Sequence, residues 1–170
     1  MRARRARASD SSAIFALINQ YAAQGLLLPR AQEEIRQNIS HFLVQEEKKR
    51  VVSCVALEVY GADLAEIRSL AVQPEMRRRG AGAKLLEFAL EEARRRGIAR
   101  VFAVTHAPDF FVRRGFALTS RHALTEKIER DCQTCAKRRS CQLTAVVATV
   151  IPERIMFPIL NDSATPVSAA

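Results

Sequence analysis

The chain has no tryptophan and only two tyrosines, and aromatic residues make up 6% of its 170 positions. That scarcity argues against a nucleic-acid surface, because stacking on bases needs aromatic side chains interleaved with basic ones. No helix-turn-helix spacing is found either, so any phosphate attraction would be non-specific and salt-sensitive. No run approaches the roughly 18 consecutive apolar residues that a membrane span needs. The N-terminus lacks the apolar centre of a secretory signal, so a cytoplasmic protein without nucleic-acid or membrane partners is the expectation. Internal repeats are absent.

What is present is an ordinary globular composition, 48% hydrophobic and 26% charged, which supports one domain with a real core and excludes a disordered polymer. Lys+Arg 27 against Asp+Glu 18 leaves a net charge of +9. Such a field attracts phosphates and carboxylates without saying which. Four cysteines without a secretory signal read as thiols or metal ligands before structural disulfides.

Arg2, Arg4, Arg5 and Arg7 alternate as the wet face of an edge strand. Cap-type residues Ser9 to Ser12 precede Ile14, Leu17, Ile18 and Tyr21, one face of a helix that runs to about Ala23. The loop from Leu26 to Arg30 is unusually apolar and reads as a lid or pocket wall, followed by a polar helix from Ala31 to about Ile39. Phe42 to Gln45 and Val51 to Tyr60 form a hairpin, and Leu64 to Val72 is a further strand stopped by Pro74. From Gly82 to Arg96 the apolar residues follow the 3.6 period, with Glu91 and Arg95 as an i,i+4 pair on the wet side. Arg100 to Thr105, Pro108 to Arg114, Phe116 to Thr119 and Leu143 to Ile151 read as strand, helix, strand and strand, with a cysteine-bearing connection before the last. The order predicts an α+β fold with a mixed sheet and helices on both faces. The tail from residue 152 to 170 is small and polar and is expected to be disordered.

The most informative stretch runs from Leu70 to Leu86 and places a strand, a glycine-containing loop and a helix start in succession. Free N–H groups at a helix N-terminus and the positive end of its dipole make an anion site, and Gly80 and Gly82 let a pyrophosphate come close to the backbone. There is no Gly-Lys-Ser/Thr ending and no Gly-x-Gly-x-x-Gly, which sets aside the two common nucleotide loops.

Here the sequence resembles the GCN5-related N-acetyltransferase (GNAT) superfamily, whose acetyl-CoA loop pattern Arg/Gln-x-x-Gly-x-Gly/Ala is matched by Arg77, Gly80 and Gly82 after the strand Leu70-Ala71-Val72. Arg113-Arg114-Gly115-Phe116 matches the next family motif. Tyr21 to Arg30, Leu64 to Val72, Phe110 to Phe116 and the spacing of Cys132, Cys135 and Cys141 are similar to the short, single-domain bacterial N-acetylglutamate synthases. The resemblance implies a GNAT domain over residues 1–151, with a mostly antiparallel central sheet. It implies transfer of the acetyl group of acetyl-CoA to the α-amino group of L-glutamate, the first step of arginine biosynthesis, and is compatible with a homodimer. A rival within the superfamily acetylates another amine, such as a protein N-terminus. A basic nucleic-acid-binding domain is the rival from another class.

On this reading the amides of Arg78, Arg79, Gly80, Ala81, Gly82 and Ala83 hold the CoA phosphates. Those of Leu70, Ala71 and Val72 bond the pantetheine arm and polarise the acetyl carbonyl. Glu66 and Arg68 share one face of their strand, where Glu66 can accept the proton of the attacking ammonium and Arg68 can hold a substrate carboxylate. Arg30 is a second carboxylate clamp. Many superfamily members carry a tyrosine, as acid for the departing thiolate, where this chain has Phe111. A thiol with an ordinary pKa of about 8.5 leaves tolerably without one. Cys132, Cys135 and Cys141 could hold zinc with Cys54, His122 or Asp131 as fourth ligand, but a full four-ligand spacing is missing, so reduced thiols are expected first and a structural zinc second.

Overall fold

The computed structural model describes residues 1–151, and the disordered tail expected from residue 152 lies outside them. Seven strands form one sheet in the order β1-β2-β3-β4-β5-β7-β6. They are β1 Arg2–Arg5, β2 Phe42–Glu47, β3 Arg50–Val59, β4 Leu64–Val72, β5 Arg100–Thr105, β6 Ala117–Thr119 and β7 Thr144–Thr149. Every neighbouring pair is antiparallel except β4 with β5. The helices are α1 Ser11–Ala22, α2 Gln32–Gln37, α3 Ala81–Arg95, α4 Pro108–Val112 and the single turn α5 Thr125–Lys127. The basic segment at the N-terminus is the edge strand its alternation predicts.

The period of two sorts each central strand onto two cores. Leu43, Val55, Leu57 and Ile67 point to the side of α3 and α4, where they meet Leu85, Leu86, Ala89 and Phe111. Phe42, Val44, Cys54 and Ala56 point to the other side and cover Ile14, Leu17, Ile18 and Tyr21 of α1 and Ile35 of α2. Helices therefore flank both faces, as predicted. A third cluster, Leu64, Phe102, Leu124 and Ala145, seats the segment that follows β6.

One surface pairing differs from expectation. Arg95 reaches Glu92 at 3.4 Å, whereas Glu91 pairs with Arg94. Glu92 is fully buried and also takes Arg5 of β1 and Arg96, at 2.6 and 2.8 Å. A buried carboxylate needs charge partners more than an exposed one does, so it draws in the arginines within reach.

Candidate active site

Strands β4 and β5 pair only from Leu64 with Arg100 to Glu66 with Phe102, and beyond that point they part. The cause lies on β4. Between the pairs Ala56–Arg68 and Cys54–Ala71, β3 advances two residues while β4 advances three, so β4 carries a bulge. Within it Ser69 adopts a φ of 54°. The bulge turns Leu70, Ala71 and Val72 away from a β5 ladder, which leaves backbone groups there for a ligand.

At the end of β4 a 3₁₀ segment, Pro74–Arg79, leads to Gly80, whose φ of 74° is left-handed. The first helical bond of α3 runs from Lys84 N–H to the Gly80 carbonyl at 3.1 Å. The amides of Ala81, Gly82 and Ala83 thus have no helical acceptor, and no side chain caps them. These are the free N–H groups on which the expected anion site rests. The arginines around it are arranged differently. Arg77 donates from Nε to the Tyr21 hydroxyl at 2.9 Å and lies over that ring, and Tyr21 in turn donates to the Val72 carbonyl. Arg79 pairs with Glu47 at 3.0 Å, and Arg78 is exposed. Arg77 thus fastens the loop to α1, a connection between distant segments that loop spacing does not show.

Glu66 is buried on β4 and its Oε2 accepts from Arg68 Nε at 2.9 Å and Lys127 Nζ at 2.9 Å, with the Tyr60 hydroxyl at 2.8 Å. Asp131 lies across the same group, taking Arg68 Nη2 at 2.9 Å and Lys127 Nζ at 2.8 Å, and the Tyr60 hydroxyl is within reach of both carboxylates with one proton to give to either. The shared face of Glu66 and Arg68 is as predicted. No motif in the sequence singles out Tyr60 or Lys127, and Asp131 stands out there only as a possible metal ligand. Burial, the Glu66 charge and the bond to Asp131 push the Tyr60 hydroxyl upward, so it stays a protonated donor. Burial works against ionisation of Asp131, yet the hydrogen bonds from Lys127 and Tyr60 and the nearby cations outweigh it and hold the carboxyl at about 2. Burial opposes the Arg68 charge too, but Glu66 and its neighbours raise that group further above its ordinary value.

Beside this cluster is a cavity of about 140 Å³ lined by Arg30, Glu34, His41, Glu58 and Arg68 among others. Arg30 spends Nε on Ser69 Oγ at 3.1 Å and Nη1 on Glu34. Arg68 spends Nε and Nη2 within the cluster. Among the described residues neither Arg30 Nη2 nor Arg68 Nη1 makes a hydrogen bond. The two predicted clamps therefore meet at one cavity from separate elements, the apolar loop and β4.

Phe111, at the position where many superfamily members carry a tyrosine, is buried edge-on against Phe110 and Phe116. Cys132, Cys135 and Cys141 are free and partly exposed. Among the described residues no group of three or more His, Cys, Asp or Glu side chains could hold a metal ion. The reason is local. Cys132 ends a π-helical turn, Ile128–Cys132, whereas Cys141 follows a separate 3₁₀ turn, Arg138–Ser140, and Asp131 is committed to Arg68 and Lys127. Burial pushes the Cys54 thiol up to about 12, which suits a core residue and not a ligand.

Among the described residues no helix is long and apolar enough to cross a membrane. The profile of the acetyltransferase (GNAT) family matches residues 12–116. An uncharacterised N-acetyltransferase of Chlorobaculum tepidum is 40% identical over 147 residues, 86% of this chain and 95% of that protein. An amino-acid acetyltransferase of Mycobacterium tuberculosis is 39% identical over 116 residues, 66% of each chain. Among solved structures, the N-acetylglutamate synthase of Neisseria gonorrhoeae, complexed with coenzyme A and N-acetyl-glutamate, superposes with a TM-score of 0.81. That match is 31% identical over 89% of this chain and 35% of that one. The parted strands, the uncapped glycine-led helix and these likenesses agree: the chain belongs to the acetyltransferase (GNAT) family.

Proposed function

We propose that the protein transfers the acetyl group of acetyl-CoA to the α-amino group of L-glutamate, as an N-acetylglutamate synthase in the cytoplasm. The observation that carries this reading is the cavity onto which Arg30 and Arg68 each bring an uncommitted guanidinium nitrogen. Two cations from different elements suit an acceptor with two carboxylates better than a simple amine. Four unpaired cysteines suit a reducing compartment. The gonococcal synthase, solved with coenzyme A and N-acetyl-glutamate, supports the same acceptor.

In the proposed reaction the amides of Ala81, Gly82 and Ala83 hold the pyrophosphate and the freed β4 backbone holds the thioester. Glu66 takes a proton from the bound ammonium, directly or through water. The neutral amine then attacks the carbonyl carbon, forming the C–N bond, and the C–S bond breaks with its electron pair leaving on sulfur. The attacking nitrogen sheds its second proton as the amide forms, the thiolate takes up a proton in balance, and amide and CoA depart. Thiol release measured with acetyl-CoA and each of the twenty amino acids tests the acceptor. Glutamate is expected to give the highest kcat/KM, and preferential turnover of a peptide amine or polyamine would reject it. Arg30→Ala and Arg68→Ala each remove a charged contact and are expected to lower kcat/KM for glutamate more than tenfold, in line with roughly 2 kcal/mol per contact.

A further inference from the structure

We propose that Lys127 and Asp131 are positioning residues for the acetyl transfer, holding Glu66 and Arg68 in one charge-balanced cluster from a segment beyond the stretch that matches the family. The inference rests on the reading of Glu66 as the base. The matched stretch ends at residue 116, while these two side chains lie four residues apart on the turns that follow Leu124, which anchors them in the third core cluster.

Lys127 Nζ directs its donors to Glu66 at 2.9 Å, Asp131 at 2.8 Å and Tyr60 at 3.2 Å. Asp131 takes Arg68 Nη2 on the same oxygen, Oδ2, while its Oδ1 lies 3.6 Å from Arg130 Nε. Two carboxylates thus face two cations, Arg68 and Lys127, with Arg130 at the edge and paired more closely with Glu58. A glutamate on a strand is free to rotate, but Arg68 and Lys127, with the Tyr60 hydroxyl beside them, hold Oε2 and leave Oε1 without a hydrogen bond among the described residues. Oε1 is then the atom that accepts the ammonium proton. Other charged or titratable groups around Glu66 are Tyr60 and Glu58 on the β3 side, Glu58 being its direct cross-strand partner. Glu58 is itself answered by His41 and Arg130. On the β5 side the partner is Phe102, which carries no charge.

The charge balance makes a prediction with opposite signs. Lys127→Gln leaves two carboxylates against one cation, which favours a protonated Glu66. The acidic limb of kcat/KM for glutamate is expected to move up by on the order of one pH unit. Asp131→Asn leaves two cations around one carboxylate, and the limb is expected to move down by a similar amount. The double variant, balanced again, is expected to return the limb toward that of the unaltered protein. Ionisation of the free amino acid is the same in every assay, so only the enzyme's group can move the limb. A purely structural role would lower activity without opposite shifts. Limbs that stay in place, or move the same way in both folded single variants, overturn the proposal.

If a single variant fails to fold, Asp131→Glu decides. It keeps the charge and lengthens the arm, so kcat is expected to fall severalfold with the limb unmoved, and an unchanged kcat overturns the proposal. Glu66→Gln separates the two readings. Near-full activity would remove the base and this inference with it, whereas loss of activity alongside unmoved limbs in the other variants would remove this inference alone.

Discussion

Gly80 and Gly82 are two residues apart and are glycine for different reasons. Gly80 needs its left-handed φ of 74°, which an L side chain adopts at a cost of about 1 kcal/mol. Gly82 is helical, and a Cβ there would meet only Val72 at 3.4 Å and Phe110 at 3.6 Å, ordinary contacts. The fold itself therefore does not require glycine at 82. Gly82→Asp is expected to keep its unfolding temperature within a few degrees while CoA affinity by calorimetry falls more than tenfold, since the carboxylate repels the pyrophosphate at the helix start. Unchanged affinity would remove this loop from the site. The cysteines divide in the same residue-by-residue way. Cys54 is buried with its thiol pushed up to about 12, while the other three are partly exposed. A thiol reagent at pH 8 is expected to modify three cysteines in the native protein and the fourth only after unfolding.

At the scale of elements, α3 has two tasks, and each belongs to one of its ends. Its N-terminus carries the uncapped amides of the proposed CoA site, and toward its C-terminus Glu92 gathers Arg5, Arg95 and Arg96. This ties the edge strand β1 to the helix. Burial raises Glu92, but bonds from Arg96 and Arg5 outweigh it and keep the carboxyl below its ordinary range. Glu92→Leu leaves three arginines without their anion, but water reaches them, so the cost is smaller than for a fully buried pair, about 1 to 3 kcal/mol. Thermal unfolding is expected to show a loss of several degrees, against almost none for Glu91→Leu on the exposed side. Equal effects would contradict this division. The 3.6 period placed α3 to within a residue, but it could not tell that Arg95 turns to Glu92 and over the Phe88 ring, because side chains choose partners by burial as well as spacing.

For the whole molecule, the basic excess is partly used within the fold, since Asp10, Glu58, Glu92 and Asp131 are each lowered by arginine, lysine or histidine neighbours. A carboxylate whose folded value lies below its unfolded one adds stability above the unfolded value and loses it as pH falls through the folded one. Stability is therefore expected to be level near neutrality and to fall from about pH 5 toward pH 2, the lower bound set by Asp131 at about 2. Rising repulsion on a chain of net charge +9 acts in the same direction. Unfolding temperatures across that range test this, and Asp131→Asn is expected to make the fall shallower. A level profile down to pH 3 would contradict it.

The sequence by itself determined the strands, their two apolar faces, α1 and α3, and the glycine-containing loop that opens α3, because these depend on periods and turn residues within a dozen positions. It also placed Glu66 beside Arg68, since alternation along one strand requires it. Only the tertiary structure decided what surrounds that pair. Lys127 lies 61 positions from Glu66 and Asp131 lies 63 from Arg68, on a segment with no strong period of its own, and they reach β4 because Leu124 packs beside Leu64 and Phe102. Arg30 was legible as a cation on an apolar loop, but its cavity exists only where that loop, α2 and the sheet come together. Nor could spacing decide the fate of the three clustered cysteines: metal ligation needs convergence of side chains in space, and the turns that carry these cysteines do not supply it.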